Sequence, residues 1–80
     1  MRAELFHRIS ESGSAAARRR ASKLGLLDRL ELRNVEFESH RAALAAAGGA
    51  TPALWDSARL HVGRDAVLAA LEALARSGAM

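Results

Sequence analysis

The chain contains no cysteine, and this absence restricts both how it can fold and what chemistry it can perform. At 80 residues it is small, and small domains that bury little surface are often stabilised by disulfides or thiolate-bound metals. Both devices need cysteine, so stability is expected to be modest unless a partner adds to it. We predict one domain over residues 1–80, because no Pro/Ser/Gly-rich linker separates two hydrophobic patterns.

The same absence excludes whole classes of function. Without cysteine there is no thiolate nucleophile, no zinc–thiolate site and no iron–sulfur ligand.

No apolar stretch approaches the length of a membrane span, and the first residues lack the apolar segment and cleavage site of a signal peptide. We therefore expect a cytoplasmic protein. Eleven of its twelve Lys and Arg residues are arginine, which suggests a GC-rich bacterial genome.

Three elements are predicted in the first half of the chain. Residues 2–9 contain apolar and aromatic residues typical of a strand, and turn-forming serines follow them. Residues 15–24 are rich in helix formers, and Gly25 can end that helix in a left-handed conformation. Residues 30–37 alternate apolar and polar side chains, which predicts a second strand with a bulge near Asn34.

The next part of the chain predicts a short helix and a hairpin. Residues 39–47 form the helix, with Ser39 as its cap and a glycine pair after its end. Residues 51–55 and 58–62 flank an Asp-Ser pair. This spacing predicts two antiparallel strands joined by a two-residue turn.

Residues 64–76 predict the last element, an amphipathic helix with apolar residues at i, i+3, i+4 and i+7 and Gly78 beyond its end. The order is thus β-α-β-α-β-β-α, and a right-handed crossover makes the first two strands parallel. We predict an α/β fold with a four-stranded mixed sheet and three helices. The alternative is an all-helical fold, which the alanine content favours but Pro52 and the alternation over residues 30–37 oppose.

The predicted order of elements, together with three short segments, resembles the glutaredoxins and the amino-terminal domain of glutathione S-transferases. The resemblance covers nearly the whole chain. Residues 51–56, Thr-Pro-Ala-Leu-Trp-Asp, look like the cis-proline segment of these families, and residues 5–10, Leu-Phe-His-Arg-Ile-Ser, are similar to their first strand. Residues 63–67, Gly-Arg-Asp-Ala-Val, resemble the start of their last helix. The resemblance implies a thioredoxin-like fold and a cis bond between Thr51 and Pro52.

The resemblance also places the start of the first helix in the functional site. Glutaredoxins carry Cys-x-x-Cys or Cys-x-x-Ser there, and the alignment puts the ends of that motif on Ser14 and Ala17, so redox chemistry is absent. In many transferases a serine or tyrosine holds the glutathione thiolate, and Ser10, Ser12 or Ser14 could take this role. The simpler interpretation is that Ser14 caps the helix by accepting backbone N–H bonds. Both roles use the positive end of the helix.

The ligand contacts implied by the resemblance involve two further segments. The main chain of Thr51 would pair with an extended thiol peptide as a short added strand. Gly63 and Asp65 fit the second half of the Gly-Gly-x-Asp segment that holds the γ-glutamyl group in glutaredoxins, although Val62 replaces the first glycine. In the transferase alignment Gly63 and Arg64 replace the pair that holds the ligand. The predicted ligand-binding residues are Ser12, Ser14, Thr51, Pro52, Gly63 and Asp65.

Our leading hypothesis is a redox-inactive domain that binds glutathione or a related peptide and is not an enzyme. The alternative is a structural or regulatory protein-interaction module, which could be a homodimer, with a vestigial ligand cleft. If the chain is an enzyme, the resemblance implies a glutathione transferase-like activity that uses a serine such as Ser14. Transferases of this fold normally carry a second, helical domain.

Two other kinds of partner are considered. Residues 18–20 and Lys23 form a basic segment, and the isoelectric point is about 11.0, which is typical of nucleic-acid binding. However, the net charge is only +3, aromatic residues are few, and consecutive arginines point around a helix, so we expect no nucleic-acid partner. His7, His40 and His61 lie on different predicted elements, and we expect no metal site.

Overall fold

A computed structural model describes residues 3–77 of the chain. Arg2, predicted in the first strand, and Gly78, predicted beyond the last helix, lie outside these residues. The predicted order of strands and helices is confirmed, with one short 3₁₀ turn added at Leu27–Arg29. The elements are β1 (Ala3–His7), α1 (Ser12–Lys23), β2 (Leu30–Asn34), α2 (Glu38–Ala46), β3 (Ala53–Trp55), β4 (Leu60–Val62) and α3 (Arg64–Ser77).

The four strands form one mixed sheet in the order β2-β1-β3-β4. β1 pairs in parallel with β2, which places Leu5 opposite Leu32, and this confirms the predicted parallel pairing. β1 also pairs antiparallel with β3, where Leu5 lies opposite Leu54, and β3 pairs antiparallel with β4. The two central strands are therefore β1 and β3, so the segment that leads into β3 lies at the middle of the sheet.

The helices cover both faces of the sheet. Because side chains alternate along a strand, neighbouring residues of β1 pack against different helices. Leu5 and Leu54 belong to a core cluster formed with α1 and α3. The small residues Ala17 and Ala21 of α1 are fully buried in this cluster, which lets the helix approach the sheet closely. Phe6, next to Leu5 in β1, belongs to a second cluster with Val35, Leu44 and Ala53, which lies on the α2 side.

The second strand is shorter than predicted. It ends at Asn34, and the chain turns away where the predicted strand would continue to Phe37. The cause is local: the Asn34 side-chain oxygen accepts a hydrogen bond from the N–H of Glu36, and its carbonyl accepts one from the N–H of Phe37. Phe37 is consequently 63 % exposed.

The predicted two-residue turn between the last two strands is wrong. The loop covers residues 56–59, because Trp55 pairs with Leu60. The Asp56 side chain accepts hydrogen bonds from the N–H groups of Ala58 and Arg59, and Ser57 adopts a positive φ of 73°. These side-chain bonds stabilise a four-residue loop in place of the tighter turn.

The helix starts also differ from the predictions. α1 begins at Ser12, with Glu11 at the N-cap position, three residues before the predicted start. Phe37 takes the N-cap position of α2, so the predicted Ser39 cap is wrong; the Phe37 carbonyl accepts the first N–H bonds of this helix. The predicted left-handed Gly25 is confirmed, with φ 71°.

Over residues 3–77 no helix has both the length and the apolar character needed to cross a membrane.

Candidate functional site

The beginnings of α1, β3 and α3 meet at one place on the molecule. A Cβ atom on Gly13 would lie 3.3 Å from Cδ of Pro52 and 3.7 Å from Cβ of Arg64, so these three segments are in close contact. The Thr51 hydroxyl lies 3.1 Å from Oε2 of Glu11 and donates a hydrogen bond to it. The fold thus brings together three segments that the sequence analysis placed in one site.

The entry into β3 is held by main-chain contacts. The Thr51–Pro52 peptide bond is cis, which confirms the expectation drawn from the resemblance. Pro52 is buried, and its carbonyl accepts a 2.9 Å hydrogen bond from the N–H of Gly63. Gly63 has a φ of 97°, a conformation that favours glycine at this turn into α3. The predicted residues Pro52 and Gly63 therefore hold the start of β3 against the turn into α3.

Ser14 does not cap the helix, so that interpretation is wrong. It lies inside the first turn of α1 with no exposed surface. Its hydroxyl donates to Oε1 of Glu11 at 2.5 Å and accepts a 3.0 Å bond from the N–H of Arg8. In this arrangement the Ser14 side chain ties the end of β1 to α1 and presents nothing to a ligand. Ser12, in contrast, is exposed at the first position of α1.

Glu11 is the residue of this region that the sequence analysis missed. Its two carboxylate oxygens accept hydrogen bonds from Ser14 and Thr51, which links α1 to the segment before β3. The start of a helix carries a partial positive charge that favours an anion. Here a carboxylate of the protein already lies at that end. No local rule identifies this residue, because Glu is not a preferred N-cap and Thr51 is 40 residues away.

A groove of about 390 Å³ lies beside Thr51 and α2. Two exposed arginines, Arg8 and Arg41, provide positive charge, and Glu11 and Thr51 provide hydrogen-bonding oxygens. Its remaining wall is apolar and is formed by Val35, Leu44, Ala45, Gly49 and Ala50. Of the six predicted ligand-binding residues, only Thr51 lines this groove.

The main-chain N–H and carbonyl groups of Thr51, just before β3, are not paired with a neighbouring strand. The antiparallel pairing of β1 with β3 ends at Phe6 and Ala53, two residues after Thr51. Within the part of the chain that the structure describes, neither the N–H nor the carbonyl of Thr51 forms a main-chain hydrogen bond. An extended ligand can use such groups as if it were another strand.

Asp65 lies in the first turn of α3, two residues after the turn at Gly63. It is exposed, and a carboxylate at this end of a helix is favoured by the helix dipole. It does not line the groove beside Thr51. The structure therefore places Asp65 near the junction of the three segments, on the α3 side.

The three histidines have different hydrogen-bond partners. His7 is buried, and its Nδ1 atom accepts a 3.0 Å hydrogen bond from Arg18. Burial, together with the positive charge of Arg18, lowers the pKa of His7, so its neutral form is favoured. His61 bonds to Asp56 through Nε2 at 2.7 Å in the β3–β4 hairpin. Nδ1 of His40, in α2, lies 3.1 Å from the carbonyl oxygen of Asn34, the residue opposite His7 in the sheet. Among residues 3–77 no three His, Asp or Glu side chains group as metal ligands.

Comparisons with known proteins give no family assignment. A scan against protein-family models, a search of curated proteins and a search of solved structures each returned no match. The geometry of the site must therefore carry any functional conclusion.

Proposed function

We propose that this chain is a redox-inactive, thioredoxin-like domain that binds glutathione or a related short peptide in the groove beside Thr51. The observation that carries the proposal is the unpaired main chain of Thr51 at the edge of a groove that also holds Arg8 and Arg41. The strand order supports the fold assignment, since β1 lies between a parallel and an antiparallel neighbour. This agrees with the element order implied by the resemblance to glutaredoxins.

An extended peptide would pair with the N–H and carbonyl of Thr51. A free carboxylate of the ligand would meet the guanidinium of Arg8 or Arg41, an arrangement in which the hydrogen bonds are charge-assisted. The wall formed by Val35 and Leu44 accommodates apolar atoms. Asp65, outside the groove, is the proposed partner of the amino group of glutathione, as the resemblance implies.

The proposed domain leaves the sulfur of the ligand unreacted. There is no cysteine to form a mixed disulfide, and the hydroxyl of Ser14, the candidate catalytic group, is buried and bonded to Glu11. The Glu11 carboxylate also opposes formation of a thiolate nearby, because like charges raise the pKa of a neighbouring acid. Both features favour a binding role over a transferase reaction.

The affinity is expected to be weak, with a dissociation constant of about 1 mM, or roughly 4 kcal/mol at the standard state. The test is a titration of the ¹⁵N-labelled chain with glutathione, followed through backbone amide shifts. We expect saturable shifts at Thr51 and Ala50, and weaker binding in Arg41→Gln. Arg76→Gln removes one charge from the exposed last turn of α3 and is the matched control.

S-methylglutathione provides a second control in the same titration. Because nothing in the groove captures the sulfur, the methylated peptide should bind as well as glutathione itself. If neither peptide moves the amides of Ala50 and Thr51, the proposal is wrong. If glutathione binds and its methylated form does not, the sulfur has a role that this site does not explain.

One observation favours a second function, that of a protein-interaction module that could form a homodimer. A groove of about 240 Å³ on the α2 side is lined by apolar residues and by Glu4. Trp55, which is only partly buried, lies in it. Its other lining residues are Phe6, Ala43, Ala47 and Leu60. Sedimentation velocity over a range of concentrations tests this function: a mass that rises with concentration, and that Trp55→Ala returns to the monomer, supports it.

A further inference from the structure

A separate groove lies between α1 and α3 and is basic. It has a volume of about 330 Å³ and shares no lining residue with the groove beside Thr51. Four of its six lining side chains are cationic, and the other two are apolar. The lining residues are Ala16, Arg19, Arg20, Lys23, Arg64 and Leu68.

The cationic groups come from both helices. Arg19 and Lys23 are four residues apart in α1 and thus share one face of that helix. Arg64 is the first residue of α3, and its Cβ lies close to the start of α1. Arg20 forms an ion pair with Glu72 of α3. The other ion pairs of residues 3–77 are Arg33–Glu4 and His61–Asp56, so Arg19, Lys23 and Arg64 have no such partner there.

The groove carries a net positive charge as large as that of the whole chain. The four basic side chains and the one carboxylate bonded to them sum to +3, and the complete chain, with 12 Lys and Arg and 9 Asp and Glu, also sums to +3. The remaining eight basic and eight acidic side chains therefore balance each other. A groove lined by one sign of charge focuses the field and attracts counter-ions.

We propose that this groove binds a small ligand that carries a multiply charged phosphate group, such as pyrophosphate or the phosphate end of a nucleotide. The planar guanidinium groups of Arg19 and Arg64 match pairs of phosphate oxygens, and Lys23 adds a point charge. Ala16 and Leu68 provide an apolar surface for the rest of the ligand. The volume is at the lower end of the range of small-molecule sites.

A small phosphate ligand fits this surface better than a nucleic-acid backbone does. Nucleic acids are bound by an extended basic track, often with aromatic side chains on which bases stack. The basic groove is lined by only six residues, and none of them is aromatic. The phosphate chemistry is common to both ligands, so the test includes both.

The experiment titrates the ¹⁵N-labelled full chain with sodium pyrophosphate at physiological salt. We expect saturable shifts at amides of α1 from Ala16 to Lys23 and at the start of α3. The double variant Arg19→Gln/Lys23→Gln should weaken binding by about tenfold for each side chain, since a charge-assisted hydrogen bond contributes about 1.5 kcal/mol or more. Arg76→Gln, which removes a charge away from the groove, should change the affinity less than about twofold.

Three results would overturn the proposal. The first is an equal loss of affinity in Arg76→Gln, which would mean diffuse attraction by the whole surface. The second is the absence of saturable shifts in the groove. The third is a short oligothymidine that binds through these residues more tightly than pyrophosphate does, which would identify a nucleic-acid surface. Circular dichroism checks that the double variant is folded, and Arg64→Gln, at an exposed position, repeats the test independently.

Discussion

The two faces of the sheet differ in how completely they are covered. On the α1 and α3 side, Leu5, Leu54, Val67 and Leu71 have no exposed surface. On the α2 side, Leu44 is the only buried residue of the helix. The groove beside Thr51 and the apolar groove at Trp55 both adjoin α2. The face covered by α1 and α3 is thus a well-packed core. The face covered by α2 is less completely buried and can accommodate a ligand or partner.

The largest change in the free energy of unfolding is expected when leucine is replaced by alanine on each of the two faces. Leu71→Ala in α3 should lower the free energy of unfolding by about 2–5 kcal/mol, because a fully enclosed site cannot close around the cavity. Leu44→Ala in α2 should cost near the lower end, about 2 kcal/mol, because its exposed neighbours can move inward. Urea denaturation measures both values. Equal losses would show that the two faces are equally well packed.

The next effect concerns the junction between β1 and α1, on the better covered face. Ser14→Ala should lower the free energy of unfolding by about 1–3 kcal/mol, because the N–H of Arg8 and one oxygen of Glu11 lose their partner. The matched control, Ser12→Ala at an exposed position two residues earlier, should change it by no more than about 0.5 kcal/mol. Thermal and urea unfolding of both variants test the difference. A loss as small as that of the control would remove Ser14 from its assigned structural role.

A smaller effect tests whether a ligand spans both faces. If glutathione reaches from Thr51 to α3, Asp65→Ala should weaken its binding by about 1.5 kcal/mol, the lower end for a charge-assisted hydrogen bond, since Asp65 is exposed. Asp28→Ala, also exposed but in the 3₁₀ turn, is the control. The amide titration gives both affinities. Unchanged binding in Asp65→Ala would confine the ligand to the α2 side.

The smallest effect is a dependence of stability on pH. The pKa of His7 is lowered from 6.5, so the unfolded chain binds a proton more readily and stability should fall as the pH drops below 6.5. Hydrogen bonds from His61 and from the backbone N–H groups of Arg59 and Ala58 hold the pKa of Asp56 well below its usual 3.8. The stability that Asp56 adds is present above pH 3.8 and is lost as the pH falls through its lowered pKa.

Urea unfolding at a series of pH values separates these two groups. His7→Gln should remove the fall that begins near pH 6.5, and Asp56→Asn should remove the fall that begins near 3.8. His7 contacts Arg18 on the α1 side, whereas Asp56 lies in the β3–β4 hairpin, so the pair of variants reports on two regions separately. If His7→Gln leaves the first fall unchanged, another group causes it.

The sequence predicted the arrangement of elements because the signals for it are local. Alternation, helix-forming runs and glycine stops gave the order of strands and helices, and the parallel pairing followed from the handedness of crossovers. The boundaries were less predictable. Asn34 at the end of β2 and Asp56 just after β3 bond to the following backbone through their side chains, and strand patterns do not predict these bonds.

The candidate site was harder to predict because its contacts are long-range. Glu11 meets Thr51 across 40 residues, and Arg8 and Arg41 face one groove only after α2 packs on the sheet. The prediction that residues 18–20 point around the helix holds only for Arg18, which bonds to His7, because Arg19 and Arg20 both line the second groove. Arg64 joins Arg19 in the second groove only in the folded chain.

The position of β1 in the sheet has a consequence for synthesis of the protein. β1 leaves the ribosome before both of its partners: its parallel partner β2 follows after one helix, whereas its other partner is β3, at residues 53–55. Until β3 emerges, one edge of β1 has unpaired N–H and carbonyl groups beside the apolar side chains of Leu5 and Phe6. Such an edge can add a strand from another nascent chain. In the interval between β2 and β3, this edge of β1 can therefore pair with another chain.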